Sequence, residues 1–340
     1  MLHLHRAERA DVLVDALGDV LGVPLPEPLQ AEVVSVPTRG VERWLSQRLS
    51  HRLGTSAAGR SDGVCGNVEF PFPGHLVGNA VGAACGVARD ADPWRPERAA
   101  WPLVELLDGC IDEPWLVTVA AHLRGDGGAA SAESRQARRL GTARHVADLY
   151  DTYAVHRPAM VRAWARGDHV GAAGDELPAA RWWQAELWQR LRERIAVASP
   201  AERLATACER LAEDPGGVEL PERLSIFGLT RLPASYLGVL RALAAHRDVH
   251  LFLLHPSAVL WDRVGAVAAR HAGGPLPRRL SDPTAGVPSN PLLRSWGRDA
   301  REMQLVAAGD AAVEHPHPLA LGVQATLLER LQHAVRPDLE

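Results

Sequence analysis

The chain contains no lysine: all 37 of its basic side chains other than histidine are arginine. That absence excludes a P-loop lysine on nucleotide phosphates, a Schiff-base amine and a lysine general base. A composition rich in Ala, Arg and Gly is also what GC-rich codons give, but the missing chemistry stays missing whatever its origin. Cysteine is sparse. Cys65, Cys85, Cys110 and Cys208 form no Cys-x-x-Cys pair, and the first residues lack the basic-then-apolar pattern of a signal peptide. We expect structural thiols in a reducing cytoplasm. No apolar run approaches the ~20 residues of a spanning helix, so no membrane partner is expected. Neither sign of charge dominates. With 41 acidic residues against the arginines the net charge is -4, which argues against a polyanion-coating protein and confines any nucleic-acid surface to a local patch.

What is present is an ordinary globular composition, 46% apolar and 23% charged over 340 residues, enough for roughly two domains. Short apolar runs at 2–5 and 32–36 alternate with amphipathic stretches at 9–21 and 39–53, the β-α-β-α opening of a parallel sheet. In the second stretch Val41, Leu45, Leu49 and Leu53 recur every four residues, with Thr38 as N-cap and Gly54 as stop. A third run, 68–72, precedes a helix over 75–84, and a small, polar loop is expected at 55–66. From about Pro96 to Leu211 only helical periodicity is found, broken at 125–131, 167–174 and around Pro200. Apolar runs return at 224–229 and 249–254 with a helix over 234–245 between them, as in strands buried on both faces. A Pro/Gly-rich loop at 272–291, one helix carrying Leu293, Trp296 and Met303, and a last helix at 321–335 complete the expected order. The predicted architecture is an α/β, parallel-sheet domain interrupted by an all-helical insertion, with boundaries at 1–92, 93–220 and 221–340.

Phosphates in such sheets dock on the turn after the first strand. Here that turn reads His5-Arg6-Ala7-Glu8-Arg9-Ala10-Asp11, without glycine or a P-loop pattern. The strand at 224–229 ends Phe227-Gly228-Leu229-Thr230, where a motor ATPase would place a carboxylate for magnesium. His3-x-His5 and His315-x-His317 put imidazoles on one side of extended segments, but two ligands are too few for a metal. Asp148 and Asp151, one turn apart, are explained by an exposed helix face or an ion pair with Arg144. No Gly-x-Ser-x-Gly elbow or Cys/His constellation exists, and no catalytic or metal residue is assigned. What remains is arginine with aromatics. Arg39, Arg43 and Arg48 lie on the helix opened by Thr38, and Arg135, Arg138, Arg139 and Arg144 start the long insertion helix. Either set could meet phosphates or form a solvated face. Trp183 and Trp188 fall on a buried stripe, leaving Trp182 as the freer stacking candidate.

Several stretches together resemble the RecC family, the gamma subunits of exodeoxyribonuclease V. They are Val34-Ser35-Val36-Pro37-Thr38-Arg39-Gly40-Val41-Glu42-Arg43-Trp44-Leu45, Phe70-Pro71-Phe72-Pro73, and the stretch from Ala147 to Tyr153 followed by His156-Arg157-Pro158. Trp183 to Trp188, Ile226 to Leu229 with Leu232-Pro233, and Asn290 to Gly297 continue the same order to about residue 305. The resemblance covers the N-terminal third of the family's chain and implies the first domain of a superfamily 1, P-loop helicase-like fold whose ATP site has been lost. It implies RecB-like and RecD-like partners that use ATP and Mg, no cofactor in this segment, and contact with double-stranded DNA ends and single-stranded DNA. A cytoplasmic heterotrimer for break repair and recombination is expected, with this segment guiding one strand and helping to sense Chi. By position within matching motifs, the strand-sensing surface falls on Pro37, Thr38, Arg39, Arg43 and Phe72. Arginine at two of these positions favours phosphate or guanine contacts. Arg138, Arg139 and Trp182 are the further DNA-binding candidates. Two other readings stand beside this one: a self-sufficient helicase with a divergent site, and an interaction module that never touches DNA.

Overall fold

The computed structural model describes residues 1–27, 29–56, 62–125, 132–271, 277–308, 312–318 and 326–338. The chain opens β1 (Leu2–Ala7), α1 (Ala10–Leu21), β2 (Glu32–Ser35), α2 (Arg39–Leu49), β3 (Val68–Glu69) and α3 (Pro73–Cys85). Six helices follow: α4 (Pro96–Gly109), α5 (Val117–Arg124), α6 (Ala132–His156), α7 (Pro158–Ala165), α8 (Trp182–Ile195) and α9 (Pro200–Glu213). The α/β alternation resumes with β4 (Arg223–Phe227), α10 (Ala234–Ala244), β5 (Asp248–Leu254) and α11 (Ala258–Ala269). Then come α12 (Pro291–Trp296), α13 (Arg298–Ala307), β6 (Val313–Pro316) and α14 (Leu327–Val335).

All six strands form one sheet in the order β3-β2-β4-β5-β1-β6, and every pairing is parallel. β4 and β5 lie inside it, and their apolar runs are buried along nearly their whole length, as a sheet covered on both faces requires. One face packs Val34, Phe227 and Phe252 against Leu13, Leu17 and Leu21 of α1 and Leu45 and Leu49 of α2. Burying each such leucine contributes about 1.5–3 kcal/mol. The backbone divides into two compact units, residues 1–80 with 208–340, and residues 81–207. Among the described residues the second unit holds helices and a single isolated bridge. Its core centres on the fully buried Trp164 and Trp188 with Leu103, Leu107, Leu187 and Leu191. Tyr150, on the motif stretch from Ala147 to Tyr153, is buried there and donates its hydroxyl to the Gln184 carbonyl at 2.8 Å.

Three expectations are corrected. Helix α2 ends at Leu49 with Ser50 as its C-cap, short of the expected stop at Gly54, whose φ of +65° belongs to the turn that follows. The single helix expected around Leu293 and Met303 is two, because Gly297 lies so close to α12 that a Cβ there would sit 2.5 Å from the Leu293 carbonyl. β6 was not anticipated: Val313-Glu314-His315-Pro316 carries one aliphatic residue and a proline, tolerable only on an edge strand. The expected start of the last helix at Leu321 lies outside the described residues, as do parts of the loops expected at 55–66, 125–131 and 272–291.

β6 brings the two histidine pairs of the sequence together. His5 is opposite His315 on one side and Phe252 on the other, and His3 is opposite His250. Ring nitrogens meet between His3 and His315 at 3.1 Å, His5 and His317 at 3.1 Å, and His5 and His250 at 3.0 Å. The rings also stack, with His5 and His315 centroids 4.4 Å apart. Among the described residues no three or more His, Cys, Asp or Glu side chains converge on a metal position. Burial, then neighbouring imidazoles, pushes His5 down to about 3 and His250 to about 4 from an ordinary 6.5.

The unfolded chain takes up protons near the ordinary histidine value, while these rings stay neutral in the fold until far lower pH. Their contribution to stability is therefore complete above about pH 6.5 and drains away as pH falls from there toward about 3. In urea denaturation at stepped pH, His5→Phe should reduce the slope of stability against pH by about one proton between pH 6 and pH 4. An unchanged slope would mean that this ring does not remain neutral in the fold.

Candidate nucleic-acid interface

Parallel strands deliver all their carboxyl ends to one edge, and there the residues following β2, β3 and β4 meet. Val36 leaves the ladder by donating its N–H to the Pro71 carbonyl at 3.1 Å, which sets Pro37 and Phe72 on neighbouring exits. Thr38 is the N-cap of α2: its hydroxyl accepts the Val41 N–H at 3.2 Å, in extended backbone geometry. Arg39 follows, exposed, with its guanidinium 5.8 Å from the Phe72 ring and 3.2 Å from the Glu42 carboxylate. So open an ion pair is worth under about 1 kcal/mol, and Arg39 can exchange it for another anion at little cost. Arg43 stands one turn further along, also exposed, with no ion-pair partner among the described residues. Gly228 closes the group. Its φ of +76° favours glycine, and a Cβ there would lie 3.6 Å from Val41 and 3.8 Å from Pro37. Five of the eight predicted residues, Pro37, Thr38, Arg39, Arg43 and Phe72, thus lie along one loop-and-helix edge. Sequence reading missed Gly228 as part of it, although a glycine directly after an apolar strand was the available signal.

Arg138, Arg139 and Trp182 lie in the helical unit and are more occupied. Arg139 pairs with Asp108 at 3.1 Å. Arg138 is half-buried over Gly125, where a Cβ would collide with its Nη1, and its Nε and Nη2 find no hydrogen-bond partner among the described residues. Trp182 donates its indole N–H to the Leu177 carbonyl at 2.7 Å and leans on His169 with 5.4 Å between centroids. It is less free than its sequence position suggested. The Arg135 side chain lies outside what the structure describes.

The turn after β1 has its own anions. Arg9 holds Asp11 through Nε at 2.9 Å, and the Asp11 Oδ1 accepts the Val12 N–H at 3.1 Å in the first turn of α1. Glu8 does the same for α11, accepting the Ala258 N–H at 3.1 Å while Arg336 Nε approaches its other oxygen at 2.9 Å. Two helix N-termini at this edge are therefore already supplied with carboxylates from the chain itself.

The profile of the family described as "RecC, N-terminal domain" matches residues 2–338. The chain is 46% identical over 303 residues to the RecBCD enzyme subunit RecC of Mycolicibacterium smegmatis, an alignment covering 89% of this chain and 25% of that protein. It is 44% identical to the Mycobacterium tuberculosis protein of the same name, over 89% of this chain and 26% of the other. The Escherichia coli RecBCD enzyme subunit RecC is 26% identical, over 98% of this chain and 31% of its own length. The chain spans about a quarter to a third of the length of these relatives.

Because Thr38 and Gly228 fix the loop geometry, their loss should register as stability. Thr38→Ala should cost about 1 kcal/mol through the lost cap, and Gly228→Ala about 1–2 kcal/mol through the left-handed backbone. Urea denaturation of each variant checks both figures, and wild-type stability in either would contradict the assigned geometry.

Proposed function

The chain belongs to the RecC family, of which it carries the N-terminal domain, and we propose that it acts as a noncatalytic, DNA-guiding wall and partner scaffold. The observation that carries this reading is the assembly of Thr38, Arg39, Arg43 and Phe72 at the carboxyl edge of the sheet, cation beside aromatic beside a helix N-terminus. A guanidinium can meet a phosphate or a guanine edge there while the ring receives an unpaired base. In this reading the chain works in a cytoplasmic RecBCD-type complex for double-strand-break repair and recombination, beside RecB-like and RecD-like subunits. It steers one separated strand and helps to recognise a Chi-like sequence.

Within the same proposal the segment has a helicase-like domain whose ATP site is lost, and ATP and Mg are used by the partners. The absence of lysine, the glycine-free turn after β1 and the carboxylates of Glu8 and Asp11 at the neighbouring helix N-termini support it. Among the described residues no helix is long and apolar enough to cross a membrane.

The test is the salt dependence of binding to a fluorescent forked DNA end by the chain assembled with its RecB-like and RecD-like subunits. Each lost phosphate contact to a single strand flattens the slope of log K against log salt by about 0.7, so Arg39→Ala with Arg43→Ala should remove about 1.4. Arg139→Ala, whose charge is engaged by Asp108, should change it less. An unaltered slope in the double variant would leave the interaction module without DNA contact as the better account. Saturable ATP binding by the purified chain would instead favour the self-sufficient helicase.

A further inference from the structure

Strand β6 brings little apolar surface to the sheet edge. Val313 is 42% exposed, Glu314 and Pro316 are exposed, and His315 and His317 alone of 313–318 are partly covered. Among the described residues its side-chain anchors on β1 are of two kinds. On one face Arg6 meets Glu314 at 3.2 Å, and on the other His315 bonds His3 and His317 bonds His5. The bond from His5 to His250 ties this column of imidazoles to β5, inside the sheet.

Each of these bonds joins a ring nitrogen that carries a proton to one that does not, which limits how many protons the column holds intact. His250, His5 and His317 share two bonds, so that row keeps both with at most one proton added to its neutral rings. The His3–His315 pair likewise keeps its bond with one, for two in all. With β6 away, His315, His317 and His3 take one each and the His5–His250 pair, still bonded, takes one, for four in all. Release of β6 is therefore coupled to the uptake of about two further protons.

The charges facing the column do not replace those bonds. Asp248 on β5 favours a proton on His250 and Asp19 on α1 favours one on His317, while Arg223 on β4 opposes one on His250. These groups have partners of their own: the Met1 amine for Asp248, Glu32 for Arg223, Arg52 for Asp15 and Asp19, and Arg9 for Asp11. Arg6, with Asp262 and Glu314, lies on the opposite face. Burial first, then neighbouring imidazoles, holds His5, His250, His315 and His317 below the ordinary histidine value.

We propose that the imidazole column is a proton-operated clasp: β6 stays on β1 while the rings share protons, and further protonation releases it as a unit while β1, β5 and β4 remain paired. Released His315 and His317 take up protons near the ordinary 6.5 and the clasped rings only at lower pH, so the clasp is closed above about pH 6.5 and opens as pH falls from there. Opening bares the outer edge of β1, a row of backbone donors and acceptors that another strand can pair with. The clasp goes beyond the DNA-guiding reading and does not depend on it, because Thr38, Arg39 and Phe72 take no part.

Hydrogen exchange of the full chain at stepped pH, corrected for the pH dependence of free-peptide exchange, tests the clasp. Between pH 7 and pH 5 protection of amides 312–318 should fall by at least about thirtyfold, with 249–253 of β5 within about threefold of their pH 7 value. Glutamine reaches about as far as Nε2, the nitrogen that His315 and His317 use, and takes up no proton. His315→Gln with His317→Gln should hold β6 at pH 7 within about threefold of wild type and flatten its pH dependence. Where that variant does not fold, His317→Gln alone should lower the slope of log protection against pH by about one proton. Parallel loss of protection in β6 and β5, wild-type protection of 312–318 that does not change with pH, or glutamine variants with the wild-type pH dependence would overturn the proposal.

Discussion

Parallel pairing is the constraint on which the rest of this fold depends. Six strands running one way leave all their carboxyl ends, and the N-termini of the helices that follow, on a single edge. Both faces must be covered by helices, so loops at that edge are the place where side chains can be presented without disturbing the core. The chain uses the two ends of the edge differently. Beyond β2 and β3 it leaves arginine, a capped helix start and an aromatic ring open. Beyond β1 and β5 it fills the equivalent positions with Glu8, Asp11 and the α14 segment. The helix N-termini are answered by carboxylates on one side, and on the other by the Thr38 hydroxyl, with Arg39 and Arg43 exposed beside it.

Legibility in the sequence followed periodicity. β1, β2, β4 and β5 were readable because each is an apolar run between turn signals, and α2 because a threonine cap precedes a regular leucine stripe. β6 was not, since a parallel edge strand needs little hydrophobicity and this one is held by imidazoles contributed from residues more than three hundred positions away. The break between α12 and α13 depends on a close backbone approach at Gly297, which no local pattern reveals. The meeting of Pro37, Thr38, Arg39 and Phe72 was half visible: the cap was local, while the adjacency of Phe72 required the parallel register of β2 and β3. Trp182 shows the opposite limit, for its spacing left it outside the buried stripe but the carbonyl that engages its indole lies five residues upstream in a loop.

Arginine carries every structural task that lysine might have shared. Arg301, 2% exposed, donates to the carbonyls of Leu293 at 2.7 Å and Arg294 at 3.1 Å, tying the end of α12 to α13. Arg247 reaches the Val218 carbonyl at 3.0 Å from a buried position. Arg263 divides its fork among Asp338, Ser289 and Val287. A planar guanidinium can satisfy several acceptors in fixed directions, whereas an ammonium on a flexible stem offers one compact charge. Loops and helix ends with little apolar surface of their own are thereby positioned by directional bonds.

The imidazole column across β5, β1 and β6 has a further property, the order of its protons. Asp248 accepts from His3 Nε2 at 3.3 Å, and a carboxylate can only accept, so in the uncharged form of that ring the proton sits on Nε2 and Nδ1 is bare. That Nδ1 must receive its bond from His315 Nε2–H, which leaves His315 bare at its own Nδ1. In the other file His250, His5 and His317 meet nitrogen to nitrogen with no carboxylate among these contacts, so two tautomer directions satisfy both bonds equally. One file of the column is thus oriented by a single surface carboxylate, while in the other the rings can change direction only together. The edge of the sheet is held by hydrogen bonds whose sense is set collectively rather than residue by residue.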